Sequence, residues 1–327
     1  MESLAPILLA PQPHALAVAV LLDLVLGDPV YRFHPVRLMG ASLTLFENGL
    51  RRVGASGYGG GIALFFILSS LWVLIVAFLQ FGFAALGPWP AWLFHVFIVY
   101  SLLAFGDLLR HVRRVERLLG QHDLAAARAA IGRLVGRDTD RMDEGTCRRA
   151  AIESMSEGLP DGYVSAIFWY ALLGLPGLVV FKVVSTMDSM VGYKTPRYLR
   201  LGWCGARLDD AMNFLPARLS WLLIALTAVF VPKCSPGKAL AIGYRQARLL
   251  PSPNSGWPEA ATAGAIQRRL VGPIFRNGQL VTDIWIGDPN DPPASSSADV
   301  ARATAVILIA GLIAAGLAII VLLLARG

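Results

Sequence analysis

Two long apolar runs constrain the fold of this chain more than any other feature of its sequence. Residues 61–86 and 303–325 contain no charged side chain. A helix that spans a membrane needs about 20 predominantly apolar residues, and both runs meet that requirement. The composition agrees, because 55% of the residues are hydrophobic and 16% are charged, whereas a soluble domain carries about 25% charged residues. The sequence therefore predicts an all-α, polytopic integral membrane protein.

Other apolar segments bring the prediction to about four to six membrane segments. Residues 91–105 follow a turn with two prolines, so 61–105 is predicted to form a helical hairpin. Residues 163–185 are interrupted by a Gly-Leu-Pro-Gly sequence that begins at Gly174, and each half is too short to cross about 30 Å of hydrocarbon. This pattern predicts a broken or re-entrant helix, an arrangement that is common at membrane binding sites.

We interpret residues 1–327 as one membrane domain. Its predicted parts are a polar helical loop at 107–162, motif-bearing loops at 186–213 and 233–302, and a C-terminal transmembrane helix at 303–325. The first two loops are rich in arginine and lysine, and such loops usually face the cytoplasm. We therefore expect a multi-pass protein of the cell (inner) membrane whose active site faces the cytoplasm. The number of crossings stays open, because the 233–302 loop is basic as well.

The charge balance and the cysteines narrow the class further. The chain has 29 basic and 22 acidic residues, for a net charge of +7, which suits cytoplasmic loops and lipid headgroups. No stretch alternates basic and aromatic residues, so a lipid bilayer is expected as a partner and a nucleic acid is not. Cys147, Cys204 and Cys234 are too few and too scattered for a disulfide framework or a zinc site, and they are predicted to be free thiols.

The most polar stretch, 183–220, lies between two apolar segments. Asp209 and Asn213 are spaced i and i+4, which places them on one helix face, and Asp210 lies beside them. Carboxylate and carboxamide oxygens at this spacing are suitable ligands for Mg²⁺. The alternative is a solvated helix end with ordinary ion pairs. Because carboxylates next to membrane segments are costly and usually functional, we favour the metal site.

Cationic side chains surround a glycine turn in the same stretch, after Asp188. Arginine and lysine in such a group suit phosphate or carboxylate ligands, although anchoring of a cytoplasmic loop explains them equally well. The residues of this group are Lys194, Arg197, Arg200 and Arg207.

A second acidic group precedes the broken helix. Glu153 and Glu157 are spaced i and i+4, and Asp161 follows a glycine-proline turn. Such a row of carboxylates could bind a metal ion or act as a general base. The alternative is a solvated helix in which Glu153 pairs with Arg149.

Two further motifs contain candidate binding residues. Near the N-terminus these are His34 and Arg37, where a lone histidine before proline is more often structural. At 252–266 they are Asn254, Trp257 and Glu259, in a loop that is predicted to enter a helix with proline in its first turn. The Trp257 ring would pack against a planar ligand or lie at the lipid interface. The chain has no P-loop and no GxGxxG pattern, so any nucleotide site is not a standard one.

Five of these stretches, in this order, resemble the CbiB/CobD family of cobalamin biosynthesis, which is called adenosylcobinamide-phosphate synthase. They are residues 22–40, 153–162, 181–219, 252–265 and 285–288. Gly158 is a departure, because the family often has asparagine at this position of the second stretch.

The resemblance implies an ATP- and Mg²⁺-dependent amide ligase. It would join a propionate carboxylate of the corrinoid adenosylcobyric acid to (R)-1-amino-2-propanol or its O-phosphate, and the sequence leaves the choice of amine open. Asp209, Asp210 and Asn213 would then hold Mg²⁺, the cations listed above would hold phosphate oxygens, and Asp188, Glu157 or Asp161 would take the proton of the amine. A membrane transporter, or a membrane sensor without enzymatic activity, is the alternative. A partner protein or a homo-oligomer also stays open.

Overall fold

The computed structural model describes residues 8–28 and 31–326, and within them the protein is almost entirely α-helical, as the sequence predicts. The helices are α1 (Pro13–Leu26), α2 (Pro35–Arg52), α3 (Tyr58–Ala85), α4 (Pro88–Ser101), α5 (Phe105–Gly120), α6 (Leu124–Ile131), α7 (Glu144–Leu159), α8 (Ser165–Val191), α9 (Trp203–Met212), α10 (Phe214–Thr227), α11 (Pro236–Gln246), α12 (Gly256–Ile266) and α13 (Ser297–Leu324). A single π-turn, Pro160–Val164, connects α7 to α8, and a 3₁₀ turn, Ala247–Leu249, follows α11.

Four short strands form two small antiparallel pairs that the sequence analysis does not predict. Strands β1 (Leu270–Val271) and β4 (Trp285–Ile286) pair with each other, and β2 (Ile274–Arg276) pairs with β3 (Gln279–Thr282). All four lie in the predicted 233–302 loop. The same loop contains α11 and α12, so it is largely folded rather than a simple connection.

By length and composition alone, three helical segments of the described chain could cross a membrane. They are Tyr58–Ala85, Glu144–Val191, which is broken at Gly174, and Ser297–Leu324. The bent pair Pro88–Ser101 and Phe105–Gly120 gives a fourth if it is taken as one span, which reaches the lower end of the predicted number. The fold is that of a polytopic α-helical membrane protein.

The chain forms two compact units, each assembled from separate segments of sequence. The first unit comprises Met1–Ala104, Ser165–Asn213 and Ala315–Gly327, and the second comprises Phe105–Val164 and Phe214–Ala314. The interpretation of the chain as a single membrane domain stays a prediction.

The predicted helical hairpin is present in the first unit. Helices α3 and α4 are connected at Gly87, whose φ of 127° lies in the region that favours glycine. Near this turn the rings of Phe83 and Phe94 stack with their centroids 4.9 Å apart.

Helix α8 folds back on itself, which confirms the predicted break. Gly174 has φ 66° and ψ −151°, outside the helical region, and Pro176 follows. A Cβ built on Gly177 would lie 2.5 Å from the carbonyl oxygen of Trp169, whereas eight residues of straight helix would separate these positions by about 12 Å. The two halves of α8 therefore form a helical hairpin with its tip at Gly174.

A hydrogen-bond network holds the first arm of this hairpin. The Tyr170 hydroxyl accepts a hydrogen bond from the Gln12 backbone N–H at 2.7 Å. The same hydroxyl lies 2.8 Å from Nε2 of the buried His95 on α4. Because a buried polar group that lacks a partner is costly, this network fixes the arm against α4 and the segment before α1.

The second unit is built around a helix without exposed residues. Every residue of α12, Gly256–Ile266, is buried, and α12 packs against α7, α10 and α11. Its alanine- and glycine-rich sequence allows this close packing on all sides. The polar 107–162 segment is also helical, as predicted, and forms α5, α6 and α7.

Candidate functional site

Three aspartates approach one another in the first unit, where α9 packs against the second arm of α8. Gly205 makes this approach possible, since a Cβ at that position would lie 2.8 Å from Cβ of Met187. Asp188 follows Met187, and Asp209 lies one helical turn after Gly205. We call Asp188, Asp209 and Asp210 the aspartate cluster.

Asn213 holds the central carboxylate of this cluster. Its amide Nδ2 donates to Oδ2 of Asp209 at 3.0 Å, which confirms the predicted i, i+4 relation. Its carbonyl Oδ1 accepts from the hydroxyl of Ser165, at the start of α8, at 2.5 Å. Asn213 is buried, so both ends of its amide are engaged and its side chain fixes the orientation of Asp209.

The electrostatic environment of Asp209 is unusual for a carboxyl group. Its pKa is raised to about 7, mainly by burial and further by the neighbouring carboxylates of Asp188 and Asp210. The hydrogen bond from Asn213 and the charge of Lys182 act in the opposite direction. Part of Asp209 remains exposed, so a cation from solution could reach it.

The described residues contain no group of three or more histidine, cysteine, aspartate or glutamate side chains arranged to hold a metal ion. The aspartate cluster is therefore not a preformed three-carboxylate cage. Mg²⁺ commonly binds through one or two carboxylates and completes its shell with water and substrate phosphates. The donor set of Asp209 and one neighbouring aspartate fits that mode.

The predicted anion-binding cations differ in what they contact. Arg197 lies 3.2 Å from the buried Glu47, and this hydrogen bond raises the pKa of the Arg197 guanidinium. Arg51 binds the same carboxylate and also donates to the Arg197 carbonyl oxygen. Arg197 therefore helps to attach the 192–202 segment to α2. Lys194 and Arg200 are exposed.

Arg207 directly contacts a member of the aspartate cluster. It is largely exposed and lies 3.3 Å from Asp210, three residues further along α9. An exposed ion pair of this kind contributes little to stability, so Arg207 remains able to exchange Asp210 for another anion.

A second acidic group lines a cavity of about 230 Å³ in the second unit. Glu153 and Glu157 of α7 line it together with Glu259 of α12, and we call these residues the glutamate cluster. Arg137 lies 2.6 Å from Glu153, and the backbone N–H of Val271 donates to the same carboxylate at 3.0 Å. Glu153 thus pairs with Arg137 and not directly with Arg149, which donates to the Val271 carbonyl oxygen.

Glu259 is a buried carboxyl group beside two other carboxyl groups. Burial raises its pKa well above the usual value, and the nearby Glu157 and Glu153 raise it further. The charge of Arg137 and a hydrogen bond with Ser255 oppose the shift. A neutral carboxyl group is consequently favoured at this position unless a cation enters the cavity.

Asp161 lies in the π-turn between α7 and α8, in a half-buried position. Gly158 precedes this turn, and a Cβ there would lie 2.7 Å from a methyl group of Leu108. The methyl group is the end of a flexible side chain, so a larger residue at Gly158 requires only a local shift of Leu108.

Residues 254–266 of the motif at 252–266 are buried. Trp257 is 9% exposed, and its ring lies 4.9 Å from that of Trp221, against Ala217 and Ala247. Arg218 covers the other side, with its guanidinium carbon 4.8 Å from the Trp257 ring centre. The Arg218 side chain also donates to the buried Asn254 at 3.3 Å. Both Trp257 and Asn254 therefore serve the core of the second unit.

His34 has partners within the fold, and its role as a binding residue stays a prediction. It is buried, and its Nε2 lies 2.7 Å from Oδ1 of Asp28. The His34 and Tyr31 rings meet edge to face with centroids 5.1 Å apart. Arg37 is exposed and donates to the Tyr31 carbonyl oxygen at 3.4 Å.

Sequence reasoning missed Arg137, Lys182 and Ser165. Lys182 is a buried lysine in an apolar segment, and charge in such a segment usually has a function, so the sequence did contain a signal for it. Arg137 is brought to Glu153, and Ser165 to the amide of Asn213, only by the tertiary fold.

The fold and the two acidic clusters define a polytopic α-helical membrane protein with buried carboxyl groups. Residues 16–307 match the model of the CobD/Cbib protein family. The chain therefore belongs to the CobD/CbiB family.

Curated relatives cover most of the chain. A Sinorhizobium sp. protein named cobalamin biosynthesis protein CobD is 42% identical over 86% of this chain and 89% of its own length. A protein of the same name from Klebsiella pneumoniae subsp. pneumoniae is 39% identical over 84% and 86%. Cobalamin biosynthesis protein CbiB of Salmonella arizonae is 37% identical over 84% and 86%. No solved structure gives a significant match to this chain.

Proposed function

We propose that this chain acts in cobalamin biosynthesis as an ATP- and Mg²⁺-dependent amide ligase. It would join a carboxylate of adenosylcobyric acid to (R)-1-amino-2-propanol or its O-phosphate. The observation that carries the proposal is the aspartate cluster, where Asn213 holds Asp209 beside Asp188 and Asp210. Family membership supports the pathway, and the chemistry of the side chains supports the reaction type.

The aspartate cluster has the properties that a Mg²⁺–nucleotide complex requires. Asp209 with Asp188 or Asp210 would bind the ion, which supplies neutralisation of the phosphate charge. Asn213 would orient Asp209 as an outer-shell partner, since its two polar atoms are already engaged.

The exposed cations near this cluster suit the phosphate oxygens. Lys194 and Arg200 would contact them directly, and Arg207 would do so after leaving Asp210. Arg197 would instead position the segment that carries Lys194 and Arg200, because Glu47 already holds its guanidinium.

The glutamate cluster is suited to a small amine. The charge of Glu153 is balanced by Arg137, and the cavity contains two more carboxyl groups, from Glu157 and Glu259. A primary ammonium would offset their mutual repulsion. One of these carboxylates would then take the proton that the nitrogen must lose before it can attack an activated carboxyl group. A volume of about 230 Å³ suits an amino alcohol and is too small for a corrinoid.

The decisive experiment uses purified protein in nanodiscs with adenosylcobyric acid, Mg-ATP and either amine, and follows the products by mass spectrometry. We expect an amide product with one of the amines, together with ATP consumption that requires both the corrinoid and the amine. Asp209→Asn should lose both signals. Well-folded protein that yields no amide with either amine would overturn the ligase assignment, and transport assays on the same vesicles would then examine the transporter alternative.

A second assay examines the glutamate cluster separately. Glu259→Gln should raise the KM for the amine and leave the KM for ATP unchanged. Glu144→Gln, an exposed change on α7, is the matched control and should alter neither. Equal KM values for the amine in Glu259→Gln and the parent protein would remove the cavity from the amine site.

We also propose that the cations of the 192–202 segment face the cytoplasm of a cell whose inner membrane contains the protein. Lys194→Cys, in a variant without the three native cysteines, should react with an impermeant maleimide in inverted vesicles and not in intact cells. Labelling of intact cells would reverse the assigned orientation.

A further inference from the structure

A basic cavity of about 510 Å³ lies at the start of α13, and none of its lining residues belongs to the aspartate cluster or the glutamate cluster. Three cationic side chains line it, those of Lys233, Arg268 and Arg302. Asp299 is the acidic residue in the lining, so the formal charge of the cavity wall is +2. A cavity with this charge favours an anionic ligand.

The two arginines are held in place by Asp299, which is 2% exposed. Its Oδ1 lies 2.9 Å from Nε of Arg268 and 2.6 Å from a terminal nitrogen of Arg302. Its Oδ2 accepts the backbone N–H groups of Ser295 and Ser296. Because both oxygens are engaged, Asp299 orders the guanidinium groups and its accepting capacity is largely filled.

One hydrogen-bond donor of Arg302 remains available to a ligand. Arg302 Nε is buried and, within the described part of the chain, has no hydrogen-bond partner. A buried donor without a partner is costly. An oxygen-rich anion in the cavity would remove this cost and would accept charge-assisted hydrogen bonds.

Apart from Ser296, the remaining wall is apolar, which argues against a freely soluble anion. The apolar part is formed by Val231, Pro232, Ala298, Ala301 and Ala305. The three alanines and Arg302 share one face of α13 by their i, i+3, i+4 and i+7 spacing. Ala298 and Ala305 are about 10 Å apart along the helix axis, so the wall extends from the charged end into the apolar part of a candidate membrane span.

An exposed apolar stripe on α10 leads towards the same cavity. Its members on the helix are spaced by three or four residues and are 42–56% exposed, namely Leu215, Leu219, Leu222 and Leu226. Val229 and Phe230, in the turn after the helix, are 62% and 64% exposed. The chain then enters the cavity wall at Val231. An exposed stripe of this kind on a membrane protein is suited to acyl chains.

We propose that this cavity binds an anionic phospholipid, with the phosphodiester at Arg268, Arg302 and Lys233 and an acyl chain along the apolar wall. Basic pockets beside membrane helices are suited to such headgroups. This proposal does not depend on the ligase reaction, so measurements of lipid binding alone can test it.

The test measures thermal unfolding and lipid retention of the full-length protein in a neutral detergent. Phosphatidylglycerol should raise the unfolding temperature and remain bound in native mass spectrometry, whereas phosphatidylcholine should have a much weaker effect. Lys233→Gln and Arg268→Gln should each weaken binding of phosphatidylglycerol about fivefold, which corresponds to the expected contribution of about 1 kcal/mol per charge. Arg245→Gln, an exposed basic residue outside the cavity, should bind as the parent protein does.

Three results would overturn the proposal. The first is equal affinity for phosphatidylglycerol in the parent protein and in Lys233→Gln, which removes only an exposed charge and is expected to fold. The second is an equal effect of phosphatidylcholine. The third is the same thermal shift with inorganic phosphate, which would assign the cavity to a free anion instead of a lipid.

Discussion

The aspartate and glutamate clusters place carboxyl groups close together in different ways. In the glutamate cluster, an arginine and a backbone N–H neutralise one member, Glu153. In the aspartate cluster, Asn213 orients Asp209 without neutralising it. Glu153 therefore needs no ligand to compensate its charge. The aspartate cluster instead keeps an excess of negative charge that a bound cation can neutralise. The comparison separates a carboxylate kept for the fold from carboxylates available for chemistry.

The largest expected effect comes from removing the compensated carboxylate. Glu153→Gln leaves Arg137 without its ion pair in a position where both side chains are about nine-tenths buried. Breaking a buried pair in this way costs about 3–5 kcal/mol, to be measured by chemical unfolding in detergent. Glu144→Gln is the control, since the Glu144 side chain is 44% exposed and its partner Arg148 keeps a second ion pair with Glu116, so the loss should be less than about 1 kcal/mol. Similar losses in the two variants would contradict the structural role of Glu153.

Asp209→Asn should affect chemistry more than folding. Changes in the outer shell of a metal site reduce affinity about 10- to 100-fold, so loss of a direct ligand should reduce product formation by at least about 100-fold. The unfolding temperature without Mg²⁺ should not fall, because the substitution removes a buried charge. A large loss of stability in Asp209→Asn would show that the Asp209 carboxylate, like that of Glu153, stabilises the fold.

Gly205→Ala tests whether helix packing creates the aspartate cluster. The added methyl group would meet Met187 and force α8 and α9 apart, at a cost of about 1–3 kcal/mol. The affinity for Mg²⁺, measured by calorimetry, should fall together with stability. Gly237→Ala, where an added Cβ meets nothing within 4 Å, is the matched control. Unchanged Mg²⁺ affinity in Gly205→Ala would show that the Mg²⁺ site does not depend on the packing of α8 against α9.

Glu259→Gln should have the smallest effect, and its sign should depend on pH. Burial raises the pKa of Glu259, so this group favours the folded state when protonated, and its contribution is lost as the pH rises through the raised pKa. The variant cannot ionise there, so it should be more stable than the parent protein at pH 8. This advantage should shrink at pH 5. Thermal unfolding at both pH values measures it, and a difference that does not depend on pH would be inconsistent with ionisation.

The sequence predictions that the structure confirms rest on local sequence patterns. The Asp209–Asn213 hydrogen bond follows from helix geometry alone, and the break at Gly174 follows from glycine and proline in an apolar run. The Arg137–Glu153 ion pair depends on the turn between α6 and α7, and the Val271 contact joins residues 118 positions apart. No short pattern contains either contact.

The burial of Trp257 could not be predicted from the sequence for a related reason, and its role as a binding residue stays a prediction. Helix α12 is buried on every side, so it lacks the apolar and polar faces that reveal the surroundings of a helix. A tryptophan beside a glutamate in an alanine-rich segment then resembles a ligand site. The structure instead packs Trp257 against Trp221 and uses the neighbouring Glu259 to line a cavity.

The hairpin in α8 has a consequence for biogenesis. Its first arm, residues 165–173, is roughly 13 Å long. It is therefore too short to span a bilayer by itself while the ribosome synthesises the second arm. We therefore expect both arms to enter the membrane together, and the contacts of Ser165 with Asn213 and of Met187 with Gly205 form after the following segment has emerged. A nascent chain that stops at residue 191 would lack these contacts and should be removed by membrane proteases, whereas one that continues past Asn213 should persist.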